Sequence, residues 1–205
     1  MHPNPIYHDA DAARNLAFAR DVGFGVLAVN GAAAPMLSHV PFLLSDDGAI
    51  VDLHLVRSNP IARALKSPMT ASIAISGPHG YISPDWYGVV DQVPTWNYVA
   101  VHLTGQLELR PQDELRDLLD RQSGHFENLL LPKTPWRTDK MTPEVMDKMM
   151  RQIVPIRMTL TGVDGTWKLN QNKADDVRLR AADGVQSNDL GVNTDALSTM
   201  MRDAK

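Results

Sequence analysis

At 205 residues, with 43% hydrophobic and 21% charged, the chain has an ordinary globular composition and is long enough for one sizeable domain, with or without a small appendage. It holds no cysteine, which excludes disulfides, thiolate chemistry and zinc–cysteine sites. A formal net charge of −4 and the lack of any run of Lys and Arg argue against strong direct DNA binding, which needs a basic face for the phosphates.

A chain of this size buries roughly 70% of its unfolded surface and needs no staples to fold. The start, Met1-His2-Pro3-Asn4-Pro5, has neither a basic region nor an apolar stretch, so no signal peptide is expected. No apolar run approaches the ~20 residues of a membrane span. The cytoplasm is the expected compartment.

Asp9 to Asp21 reads as a first helix, with Asp9 as N-cap and Ala12, Leu16 and Ala19 on one face. Phe24 to Val29 reads as a buried strand and Met36 to Leu44 as a second. Asp46-Asp47-Gly48 is a hairpin signal leading to a third strand, Ala49 to Leu55. Ser58-Asn59-Pro60 opens a short helix to Lys66, with proline where its missing N–H costs little. Met69 to Ser76 and Tyr98 to Leu109 are predicted strands, and Gln112 to Gln122 a helix. Thr142-Pro143-Glu144 caps a helix whose Met146, Met149, Met150 and Ile153 read as a packed core face. Ile156 to Leu160 is a strand, continued by Trp167-Lys168-Leu169 after an Asp164-Gly165 turn. Asn193-Thr194 caps a last helix through Met201. Strands on short turns, interrupted later by helices, predict a mainly β fold: an antiparallel barrel decorated by α-helices.

Five segments carry the candidate chemistry. Val93-Pro94-Thr95-Trp96-Asn97-Tyr98 sets hydroxyl and amide groups beside an aromatic face where a strand begins. That suits a flat, polar-edged ligand, and equally an ordinary strand start with its polar groups in water. Ser38-His39-Val40-Pro41-Phe42 places a histidine in an apolar strand, where a satisfied core residue is the commoner outcome. In His54-Leu55-Val56-Arg57-Ser58-Asn59-Pro60, Arg57 is a permanent forked cation beside Ser58 and early helical N–H groups. This can be a phosphate site, or a surface arginine beside an N-cap. Lys168-Leu169-Asn170-Gln171-Asn172-Lys173 offers two cations and three carboxamides. Gly77-Pro78-His79-Gly80-Tyr81-Ile82-Ser83-Pro84-Asp85-Trp86-Tyr87 is an aromatic loop able to wall a flat ligand or to cap a barrel end. The seven histidines show no metal-ligand spacing with a carboxylate, and no P-loop, nucleophile elbow or dinucleotide fingerprint occurs, so no metal site is expected.

Together, SHVPF, HLVRSNP, GPHGYISPDWY, VPTWNYVAVHLTG and KLNQNK resemble the PaiB-type family, described as FMN-binding negative transcriptional regulators. The resemblance extends from about residue 24 to 176, with Pro5-Ile6-Tyr7 also family-like. Val56, Ser58, Asp85 and Asn170 depart from the family's pattern. The resemblance implies a split β-barrel like that of pyridoxamine-phosphate oxidases, with FMN at the interface of a homodimer. The chain is expected to divide into an FMN-binding split-barrel domain over residues 1–182 and a C-terminal tail with a short helix over 183–205, the residues after Asp183 matching the family poorly. By that similarity Arg57 holds the phosphate, aided by Lys168 or Lys173 and the Ser58-Asn59 turn. The isoalloxazine lies against Ser38, His39, Val40 and Pro41, with Thr95, Trp96 and Asn97 at its edge. Asn170, Gln171 and Asn172 arrive from the other subunit.

Three functions follow. The first is an FMN-binding regulator-like protein that couples flavin redox state to regulation, directly on DNA only against the charge argument. The second is a flavin-dependent reductase or oxidase of a small molecule, with His39, His79 and Tyr81 as the first proton donors to test. The third is a cofactor-free scaffold.

Overall fold

In a computed structural model of the protein, which describes residues 2–204, the elements run α1 (Ala12–Val22), β1 (Phe24–Val29), β2 (Met36–Pro41), β3 (Leu43–Leu44), β4 (Ile50–Val56), α2 (Pro60–Ala64) and β5 (Met69–Ile82). There follow β6 (Thr95–Leu109), α3 (Leu115–Asn128), α4 (Pro143–Met150), β7 (Ile153–Lys168), α5 (Asp175–Asn188), β8 (Gly191–Val192) and α6 (Thr194–Asp203). The strand order is β2-β1-β5-β6-β7-β4-β3, with β8 on β5. The pairs β1/β2, β1/β5, β3/β4, β4/β7 and β5/β8 are antiparallel. The chain divides into two compact units, the divisions falling inside α1, β5, β6 and β7. The first unit comprises the chain up to Phe18, Ile75–His102 and the chain from Val163 on; the second comprises Ala19–Ala74 and Leu103–Gly162.

The second unit carries β1 to β4; burial alternates along β1 as a half-buried sheet requires, whereas Val51, Asp52 and Leu53 of β4 are buried in succession. Leu27, Val51, Leu53, Ile73, Leu103, Leu107 and Ile156 are fully buried there. Each such side chain contributes about 1.5–3 kcal/mol of transfer free energy. Gly48 takes a left-handed φ of 71° in the hairpin, and Asp47 Oδ1 accepts from Ser45 Oγ (2.6 Å) and Ala49 N (3.0 Å). The β4/β7 pairing brings Asp52 opposite Arg157. The buried carboxylate accepts from Arg157 Nε (2.8 Å) and Nη2 (3.1 Å) and from Arg121 Nη2 (3.0 Å). Burial pushes this carboxyl up, but the two guanidinium partners outweigh burial and hold it below its ordinary value.

In the first unit, α5 and α6 pack together over Ile82, Tyr87, Val99, Trp167 and Leu169. Val177, Ala181, Ala182 and Val185 are the buried face of α5. Arg178, also buried, donates from Nη1 to the carbonyls of Met201 and Arg202 (2.8 Å to Arg202) and from Nη2 to Asp175 Oδ1 (2.7 Å). It closes the C-terminal end of α6, whose last carbonyls have no partner within their own helix.

Several predicted boundaries differ. The N-cap of α1 is Asp11, whose Oδ1 accepts from Arg14 N at 2.8 Å, and Asp9 stands outside the helix. The Met36 to Leu44 strand breaks after Pro41: Phe42 turns its N–H onto Gly23 O (2.9 Å) and buries its ring. β5 runs on through the Gly-Pro segment to Ile82, because Gly77 gives room where a Cβ would lie 2.6 Å from Phe18 Cζ. Asp164-Gly165 is strand, not turn. Gly165 admits Asn15, whose Oδ1 would meet a Cβ at 2.0 Å and instead accepts from Trp167 Nε1 at 2.8 Å. On α4 Met146 is buried but Met149 is 55% exposed, so the methionine stripe is only partly core. Residues 175–188 form a helix that the motif reading passed over.

Candidate functional site

In the second unit, Arg57 leaves β4 as its backbone N–H bonds Gln152 O (2.8 Å). Its side chain is then fixed by its own surroundings. Nε donates to Arg151 O (3.1 Å), and Nη2 donates to Gln112 Oε1 (2.9 Å) and Ile153 O (3.3 Å). Gln112 is held in turn through Nε2 to Met150 O (3.1 Å) and Ile153 O (3.2 Å). Nη1 has no partner among the described residues. Asn59 caps α2 by accepting from Ile61 N (2.9 Å), and its Nδ2 donates to Ser38 Oγ (3.1 Å), so the helix start and β2 are tied together.

Arg57 and Ser58 open onto a cavity of about 530 Å³ shared with Arg63 and Lys66 and floored by Ala62, Leu109 and Val154. No carboxylate lines it, and none of its three cations forms an ion pair among the described residues. A cluster of uncompensated cations around a wet cavity with an apolar floor is a seat for an anionic group, and a planar guanidinium matches a phosphate edge. Arg63 and Lys66 were not among the residues singled out from the sequence. Along β2, Ser38 is half-buried and Val40 is in the core. His39 lies on the exposed outer face, stacked on Phe24 with ring centroids 6.4 Å apart.

The other expected residues lie in the first unit. Lys168 at the end of β7 donates from Nζ to Thr95 Oγ1 and to Trp96 O (2.8 Å), and burial pushes its ammonium below the ordinary lysine value. Lys173 donates to Gln92 Oε1 (2.5 Å) and sits 5.0 Å from the centre of the Tyr87 ring. Asn97 is wholly buried; among the described residues its Nδ2 reaches only Met201 Sδ (3.5 Å) and its Oδ1 has no partner. Asn170 adopts a left-handed φ of 64° at the turn after β7, accepts from Tyr87 OH (3.4 Å) and leaves its buried Nδ2 unpartnered. Gln171 stitches the same turn, accepting from Leu169 N (2.8 Å) and donating to Trp167 O (2.6 Å) and Ile6 O (3.1 Å), while Asn172 is exposed. Trp96 stays 46% exposed, 6.2 Å from His79 and 6.1 Å from Tyr81, centroid to centroid.

The residues present fit a flavin mononucleotide in one respect that can be tested directly: the second unit offers a carboxylate-free cation pocket of the kind a phosphate monoester needs. No helix among the described residues is long and apolar enough to cross a membrane.

A family model described as "Putative FMN-binding domain" matches residues 1–162. Among curated proteins, "Protease synthase and sporulation protein PAI 2" of Bacillus subtilis is 28% identical, over 91% of this chain and 89% of that protein. "Uncharacterized protein AN0679" of Emericella nidulans is 24% identical, over 96% and 93%. Among solved structures, the FAD and heme binding protein from Mycobacterium smegmatis superposes with a TM-score of 0.59 at 16% identity, over 79% of this chain and 73% of that one. A putative 5-nitroimidazole antibiotic resistance protein from Bacteroides thetaiotaomicron gives 0.54 at 14%, over 77% and 84%. At such identities the structures speak for the fold alone, an antiparallel split β-barrel with helices. The chain belongs to the "Putative FMN-binding domain" family, the PaiB-type split barrels, for which FMN is the cofactor.

Proposed function

We propose that this protein binds one FMN per subunit as a cytoplasmic homodimer and acts as a PaiB-type regulator that couples flavin redox state to regulation. The observation that carries the proposal is the pocket of Arg57, Ser58, Arg63 and Lys66, positive on every charged wall and holding a guanidinium already oriented by three hydrogen bonds. Arg57 directs its free Nη1 donors at the phosphate, Ser58 adds a hydroxyl, and Arg63 and Lys66 neutralise the second charge. Ser38, fixed by Asn59, and the neighbouring backbone through Pro41 form the seat for the ring. In the homodimer Asn170, Gln171 and Asn172 come from the partner subunit. FMN, when bound, supplies the hydride and electron chemistry, and the protein's part is to hold and orient it.

The visible absorption spectrum of the purified protein, followed by FMN titration of any colourless sample, tests this reading. A flavin spectrum or fluorescence quenching saturating at one FMN per subunit is expected. A colourless protein that refuses FMN would leave the scaffold reading in its place. A second reading, a flavin-dependent reductase or oxidase, is favoured by the solvent-open aromatic surface around His79 and Trp96, and NADH or NADPH oxidation by the loaded protein separates it from the first.

A further inference from the structure

The first unit carries a recess that none of the described hydrogen-bond networks uses. It measures about 260 Å³ and is lined by Ser76, His79, Trp96, Tyr98, Val99 and Ala100. Three features separate it from an ordinary dimple. Trp96, the most expensive side chain to leave in water, keeps nearly half its surface exposed along one wall. His79 is held on both sides: its backbone pairs with Val192 of β8, and its Nδ1 bonds Gly77 O at 3.0 Å. A carbonyl oxygen only accepts, so Nδ1 carries the proton, and in the neutral ring Nε2 presents a lone pair without a partner among the described residues. Finally, no charged side chain among the described residues lines the recess; its polar groups are Nε2 of His79 and the hydroxyls of Ser76 and Tyr98, none of which has a side-chain partner among the described residues. An apolar, aromatic wall with a few fixed polar groups is the make-up of a small-molecule site.

We propose that this recess binds a neutral planar bicyclic or heteroaromatic ring that lies against Trp96 and donates one N–H or O–H hydrogen bond to His79 Nε2. Size, charge and hydrogen-bond sense each constrain the ligand. A dry cavity of about 150 Å³ admits benzene, so about 260 Å³ suits a two-ring system. The lack of lining charge disfavours carboxylates and phosphates, which go to the Arg57 pocket in the other unit. The tautomer set by Gly77 O selects a ligand that donates over one that only accepts. Because the flavin ring has its seat at Ser38 to Pro41 in the other unit, the source of this chemistry is a separate ring-bearing substrate.

The test is calorimetric titration of the protein, with and without saturating FMN, by 1-naphthol and by 1-methoxynaphthalene, which has the same rings and no donor. Wild type is expected to prefer 1-naphthol by about three- to tenfold, the range of one net hydrogen bond. His79→Phe keeps an aromatic wall and is expected to abolish that preference while leaving 1-methoxynaphthalene binding unchanged. Trp96→Ala is expected to weaken both probes about tenfold, as loss of a stacking partner plus its buried area does. Simultaneous binding of FMN and 1-naphthol is expected, and competition between them would overturn the assignment to a separate substrate. Equal affinity for the two probes in wild type, a preference that survives His79→Phe, or no binding of either would overturn the proposal. Failure of FMN to bind, with the 1-naphthol preference intact, would remove the flavin reading and leave this one standing.

Discussion

Arg57→Ala is the substitution that bears most directly on the cofactor. The guanidinium spends Nε and Nη2 on Arg151 O, Ile153 O and Gln112 Oε1, which leaves Nη1 as the part available to a phosphate. A charge-assisted hydrogen bond is worth about 1.5–3 kcal/mol, so FMN affinity should fall roughly 10- to 150-fold. Riboflavin, which lacks the phosphate, should bind the variant as it binds wild type. Because the same side chain tethers the end of β4 to the start of β7, a modest loss of stability of about 1 kcal/mol should accompany the affinity loss. Gln112→Ala separates the two effects. It keeps the cation but frees the fork, and is expected to weaken FMN by less than tenfold. Fluorescence-quenching titrations at low and high ionic strength, with circular dichroism to verify folding, measure all of this. Arg57→Ala protein that is folded and binds FMN with unchanged affinity would remove Arg57 from the phosphate site.

Asp52→Asn strips two arginines of their shared carboxylate and should lower urea-derived stability by about 1.5–3 kcal/mol, the scale of hydrogen bonds to charged groups. Because the folded carboxyl lies below its ordinary value of 3.8, its contribution is complete above about pH 4 and is lost as pH falls through the lower folded value; acid unfolding of Asp52→Asn should be flatter in that window. Burial holds His54 below the ordinary imidazole value of 6.5, so the unfolded chain binds the proton more readily. The His54 contribution to stability should therefore be level above about pH 6.5 and decline as pH drops below it, and His54→Gln should make the decline shallower in a thermal-melt series, leaving the part due to His102, which burial also pushes down. Gly165→Ala puts a Cβ 2.0 Å from Asn15 Oδ1 and should cost about 1–3 kcal/mol by overpacking, whereas Gly162→Ala, with open space at its Cβ, should melt close to wild type.

Residues that obey local rules were readable from the chain. Strand β1 coincides with its predicted span because Phe24 to Val29 is a short apolar run between Gly23 and a turn, and the Asp46-Asp47-Gly48 hairpin follows from the left-handed glycine it needs. Long-range packing decided the rest. Gly77 and Gly165 look like turn residues in isolation, but each is a glycine because Phe18 or Asn15 crosses the strand there. Helix α5 shows no clear apolar stripe, because its five buried residues include two alanines and the charged Arg178 beside only two valines. At the cation pocket, Arg57 was legible through its HLVRSNP setting. Arg63 and Lys66 had a quieter signal: from Leu53 to Pro84 the sequence contains three cations at 57, 63 and 66 and no carboxylate at all. Lys168 and Lys173 have the right charge, but their neighbours in the fold are Thr95, Trp96 and Gln92.

Arg178 has a practical consequence for anyone who handles this protein. Its guanidinium is sealed inside the first unit, and two of the oxygens that satisfy it belong to Met201 and Arg202, within a few residues of the last position in the chain. Shortening the chain before Met201 would strand a charge away from water, which is far more damaging than the loss of an exposed final turn. A cut that removes Met201 and Arg202 would therefore act on the whole unit.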